Sequence, residues 1–153
     1  MGLDMYLNVQ RYISHADREQ SGTIKSKIYD DDKTVEIETP LSRVKYLILE
    51  GIYWRKANQI HNWFVRNCCN GADDCLPHYV TEDNLTELLG LCKQVQADHS
   101  LAEALLPPCG GFFFGGTDLD EWYFSGIDQT ITDIEKLLSE TNSYDEFYYQ
   151  SSW

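Results

Sequence analysis

The chain has 153 residues, 42% of them hydrophobic and 13% aromatic, which suits one globular domain and excludes a disordered chain. A net charge of −13 argues against coating nucleic acid, whose phosphates would repel it, and favours basic proteins, cations or simple solubility. No apolar run reaches the roughly 18 residues of a membrane span.

The charge is divided unevenly. Residues 1–66 hold ten of the twelve Lys+Arg against nine Asp+Glu, whereas residues 67–153 hold only Lys93 and Lys136 against sixteen acids, a net of −14. Two surfaces of opposite character imply recognition by charge. The start of the sequence lacks a basic-then-apolar leader pattern, and Tyr6 stands where a myristoylation signal needs Ser or Thr. Five cysteines, an odd count, point to free thiols in a reducing, cytoplasmic setting.

In chain order, residues 3–9 alternate Leu3, Met5, Leu7 and Val9 with polar neighbours, the period of a half-buried strand. Strands near Ile24–Tyr29 and Thr34–Glu38 flank the turn signal Asp30-Asp31-Asp32, and Val44–Ile52 reads as a third, completing an antiparallel meander. From Tyr53 the helical period predicts a core face of Tyr53, Ala57, Ile60 and Phe64. Trp54, Asn58 and His61 form its shoulder, and Arg55, Gln59, Asn62 and Arg66 an outer rail.

Residues 68–79 read as a loop turning at Asn70-Gly71. Thr81 caps a helix through Leu85, Leu88, Cys92 and Val95, with Glu82 and Asp83 suiting its dipole. A short helix over Leu101–Leu106 is stopped by Pro107-Pro108. Three phenylalanines within Gly110–Gly116 predict a buried strand, since exposing all three would invite aggregation. Asp118–Leu138 carries a stripe of Tyr123, Ile127, Ile131, Ile134 and Leu138, and Phe147–Tyr149 reads as a final strand. These elements make one α+β domain over 1–153, an antiparallel sheet of four to six strands covered on one face by two long helices.

Four groups of residues could carry chemistry. Cys69, Cys75 and His78, beside Cys68 and His61, are zinc-type ligands, although their spacing is not that of a zinc knuckle. Cys75 with His61 or His78, oriented by Asp73 or Asp74, has the residue types of a thiol nucleophile; the acidic loop would raise the thiol pKa, the wrong direction. Trp54, Arg55, Asn58 and His61 with Phe113 offer a stacking face, a cation and an amide for a nucleotide or cyclic nucleotide. Asp73, Asp74, Asp118, Asp120, Glu121 and Asp128 form a candidate acidic surface for a protein partner.

Five blocks taken together, MGLDMYL (1–7), YWRKANQIH (53–61), DDC (73–75), GFFFG (111–115) with DEWY (120–123), and FYYQSSW (147–153), resemble a family of small uncharacterised proteins met in tailed phages and bacterial genomes. The resemblance implies a setting, that of a phage-type accessory protein in a bacterial cytoplasm, and supplies no catalytic residue. The expected function is therefore non-enzymatic: an acidic accessory protein that binds a basic host protein surface, with inhibition of an antiviral defence as its outcome. The alternatives are a nucleotide-sequestering protein and a Cys- or metal-dependent hydrolase. No cofactor is expected.

Overall fold

The computed structural model describes residues 2–19, 22–30 and 33–153. Its elements are β1 (Asp4–Tyr12), α1 (His15–Glu19), β2 (Thr23–Asp30), β3 (Lys33–Pro40), β4 (Tyr46–Arg55), α2 (Asn58–Asn67), β5 (His78–Val80), α3 (Glu82–Ala97), α4 (Ala102–Leu105), α5 (Glu121–Glu140) and β6 (Asp145–Ser152). A four-stranded antiparallel sheet runs in the order β4-β1-β6-β5. The expected α+β fold is what forms.

The alternation in β1 does what its period requires. Leu3, Met5, Leu7 and Val9 are buried against the helices. On the opposite face, cross-strand tyrosines meet in the pairs Tyr6–Tyr53, Tyr12–Tyr46 and Tyr79–Tyr148, with ring centroids 5.4, 5.4 and 5.7 Å apart. Helices α2 and α5 lie on the buried face. Phe64 of α2 stacks on Tyr149 of β6 at 4.1 Å, and Trp54 of β4 donates from Nε1 to Thr130 Oγ1 of α5 at 2.9 Å. Helix α3 packs in turn on α5. Thr81 caps α3 in a reciprocal box with Asn84, and Asp120 caps α5 by accepting from Tyr123 N–H at 3.0 Å.

The fold departs from the expected elements at four places. The meander does not form as one sheet: β4 pairs with β1, while β2 and β3 stand apart as a two-stranded sheet. Asp31 and Asp32 of the expected turn lie outside the described residues. Strand β4 continues through Tyr53, Trp54 and Arg55, and the helix starts only at Asn58. Cross-strand partners win over helical period here, Met5 pairing with Trp54 and Tyr6 with Tyr53. Gly51 makes the extension possible, because a Cβ there would lie 2.8 Å from the Leu7 carbonyl oxygen at a shift in register.

The third departure is at residues 110–116, which form a loop rather than a buried strand. Phe114 N–H bonds to the Gly111 carbonyl at 3.2 Å and a Cβ on Gly111 would strike the Phe114 ring at 2.6 Å, so the glycines fold the segment into a turn. Phe114 is buried and Phe112 is 94% exposed. Lastly, the loop after α2 ends at a short strand, β5. Among the described residues, no helix is long and apolar enough to cross a membrane.

Candidate functional site

A tight corner joins β4 to α2. Lys56 adopts a left-handed conformation, φ 57°, with its N–H on the Leu3 carbonyl at 2.8 Å, and its own carbonyl accepts from Asn58 N–H at 2.9 Å. Arg55 and Lys56 lie beside the start of α5, with the ends of their side chains also near Gly2 and, for Arg55, the Tyr53 hydroxyl. Opposite them runs the 110–116 loop, where Gly115 has φ 90° and passes so close that an added Cβ would sit 3.5 Å from the Lys56 Cβ. Between corner, loop and helix lies a cleft of about 420 Å³, lined by Arg55, Lys56, Asn58, Gln59, Gly115, Gly116, Asp118, Asp120, Trp122 and Gly126 among others. Its size is that of a small-ligand site.

Asn58 holds the cleft's outer wall. Its amide nitrogen donates to the carbonyls of Phe114 and Gly116 at 3.2 and 2.8 Å, and its oxygen accepts from Cys109 N–H at 3.2 Å. The Gln59 amide donates to the Tyr123 carbonyl at 3.2 Å, binding α2 to α5. Gln59 is therefore buried, not part of a solvated rail as its helical position suggested.

The charges in the cleft are mixed. Among the described residues neither Arg55 nor Lys56 forms an ion pair, although Asp118 and Asp120 line the same space. Asp120 already caps α5, so an anion here would be held by the two side-chain cations rather than by the helix terminus. Trp122, 85% exposed at the rim, offers a free ring face.

The structure thus brings together Arg55 and Asn58, expected as ligand residues, with Asp118 and Asp120, expected as a partner surface. It separates Trp54 and His61 from them. Trp54 is 3% exposed and bonded to Thr130. His61 is 1% exposed, its Nδ1 2.7 Å from the Tyr149 hydroxyl and its Nε2 3.1 Å from Asp73 Oδ2. A carboxylate only accepts, so Nε2–H donates to Asp73, and in the neutral ring Nδ1 accepts from Tyr149. Asp73 also accepts from the Trp153 indole at 2.9 Å. Phe113 packs edge-on against Phe112 and lies outside the cleft lining.

With both its ring nitrogens engaged, His61 has none free to serve Cys75 as a base. His78 Nε2 bonds Asp74 at 2.8 Å, and this bond, with the Leu76 N–H, holds the Asp74 carboxyl below its usual range. All six acids are exposed, but Asp73, Asp74, Asp120 and Asp128 each accept a hydrogen bond from within the chain, which leaves Asp118 and Glu121 as the acids outside the described hydrogen bonds. Burial pushes the Cys68 thiol up to about 12 and, with help from Asp74 and Asp73, the Cys69 thiol up to about 11, so both are protonated near neutrality. Cys69 is buried in the core and His78 turns to Asp74; among the described residues no group of three or more His, Cys, Asp or Glu is placed to hold a metal ion.

Trp122 and Lys56 line the cleft without a motif in the sequence that marks them as site residues. Trp122 falls off the Tyr123/Ile127/Ile131/Ile134 stripe of its own helix, and that displacement was the available signal. The chain matches no family model, no curated protein and no solved structure.

Proposed function

We propose that the protein is a non-enzymatic binding protein whose cleft takes a nucleotide or cyclic nucleotide. The observation that carries this reading is one 420 Å³ cleft lined by an exposed indole and by two cations that form no ion pair among the described residues. A base stacks on Trp122, its N–H donors meet Asp118, and a phosphate takes Arg55 and Lys56. The occupied His61 ring, which is not free to serve Cys75 as a base, favours binding over hydrolysis. Within a phage-type setting in a bacterial cytoplasm, such a protein would act by sequestration.

The test is a thermal-shift screen with nucleoside mono-, di- and triphosphates and cyclic nucleotides. A true ligand at about 100 times its Kd adds roughly 2.7 kcal/mol. That gain should vanish in the Arg55→Gln/Lys56→Gln double variant and fall in Trp122→Ala. A panel without any shift removes this reading.

The second reading is the stoichiometric accessory factor, its acids set against a basic host protein. The exposure of Asp118, Asp120, Glu121 and Asp128 around the start of α5 favours it. Capture of one host protein by wild type, lost in a variant carrying those four as Asn or Gln and weakened by salt, would choose it over the cleft.

A further inference from the structure

Strand β4 is the outermost strand of the four-stranded sheet. Ile13 N–H donates to the Lys45 carbonyl at 3.0 Å, and the register continues through Arg11↔Leu47 and Val9↔Leu49. Backbone groups alternate along an antiparallel pair. Those of Leu47 and Leu49 therefore face β1, and those of Tyr46, Ile48 and Glu50 face the open edge.

Edges are ordinarily blunted by Lys, Pro or a bulge. The segment Tyr46-Leu47-Ile48-Leu49 has neither Lys nor Pro, and the irregularity at Gly51 comes only after it. Ile48 is 69% exposed, with Tyr46 and Leu49 also on the surface.

Charge selects the occupant. Strand β4 carries one acid, Glu50, and one base, Arg55, so this edge is neutral in a chain of −13. A basic partner would be drawn to the acidic second half. The neutral edge is where two copies of an acidic chain approach without repulsion. The edge is also self-complementary. Antiparallel pairing about Ile48 sets Ile48 against Ile48 of the second copy, Leu47 against Leu49, and Tyr46 against Glu50, with no like charges opposed and every outward backbone group of the three residues aligned.

We propose that the protein forms a two-fold dimer in which β4 pairs antiparallel with β4 of a second copy, Ile48 lying on the axis and the two sheets joining into one of eight strands. This is independent of the cleft and stands or falls separately from the ligand reading.

Sedimentation of the wild-type chain at tens of micromolar should give twice the 17.7 kDa chain mass. Ile48→Lys should sediment as a monomer with an unchanged circular dichroism spectrum, since Ile48 is exposed. Tyr79→Lys, on the opposite edge strand β5, should remain a dimer. Ile48→Cys should give an oxidised cross-linked dimer that wild type, with its own five cysteines, does not. Cα atoms of a hydrogen-bonded antiparallel pair sit about 5.5 Å apart, within disulfide reach. A monomeric wild type, a dimer that survives Ile48→Lys, or no added cross-link at position 48 overturns the proposal.

Discussion

The ribbons β1–β4 and β2–β3 are written in the same alternating pattern and live in different surroundings. In β1–β4 one face carries Met5, Leu7, Ile52 and Trp54, all buried under α2 and α5. In β2–β3 one face carries Ile28, Val35 and Ile37, all exposed, while the other carries the ion pairs Lys25–Glu38 and Lys27–Glu36 at 2.9 and 3.1 Å. Isolated two-stranded hairpins are marginal in water, and surface ion pairs add little. A period of two therefore announces a strand, and says nothing of whether a layer will cover it. Stability in this molecule is concentrated where helices meet the first ribbon.

The largest expected effect breaks that concentration directly. Phe64 is fully buried, stacks on Tyr149 at 4.1 Å and meets the Trp63 and Trp54 rings at 5.3 and 5.8 Å. Phe64→Ala should cost about 3–5 kcal/mol, read as a drop in the urea midpoint. A loss below about 1 kcal/mol would mean that the helices contribute far less to covering β1–β4 than their packing implies.

Much of this covered region is readable from sequence, and the reasons are local. The Leu3/Met5/Leu7/Val9 alternation, the Thr81 cap and the Tyr123-to-Leu138 stripe each lie within one element and obey one period. The boundary at Tyr53 is not readable, because an aromatic run fits both periods and only pairing with β1 decides it. The glycine loop misleads for a similar reason: its shape depends on Leu3 N–H reaching the Phe113 carbonyl at 3.1 Å and on Asn58 holding it from across the fold. The cleft joins residues 55–59 to 115–126, so its halves were visible as separate charge features and their meeting was not. By sequence Asp118 belongs to an acidic surface and Arg55 to a ligand group, and tertiary packing sets both on one cleft.

The second prediction sharpens the contrast through pH. Burial in α3 pushes the Cys92 thiol up to about 12, and burial likewise raises the Tyr149 phenol. Below about pH 8.5, where an unfolded thiol holds its proton, native and unfolded states bind alike and the stability is complete. Above that the unfolded thiol ionises while the native one does not, so stability falls by roughly 1.4 kcal/mol per pH unit until the folded value is passed. Urea midpoints should decline between about pH 8.5 and pH 11, and Cys92→Ala should flatten part of the decline. A midpoint level across that window would mean that the thiol is reached by solvent in the native state.

The smallest effect belongs to the uncovered ribbon. Ile37 of β3 pairs with Ser26 and faces outward beside Val35 and Ile28. Thr keeps the β-branch that strands favour and removes apolar surface from water, so Ile37→Thr should shift stability by less than about 0.5 kcal/mol in either direction. The same kind of change on the covered side would leave a polar group without a partner. If Ile37→Thr instead lowers the midpoint strongly, the dependence on protein concentration decides where the face is hidden. A loss that shrinks with dilution places Ile37 in an interface between copies; a loss independent of concentration means that the hairpin folds back on its own body.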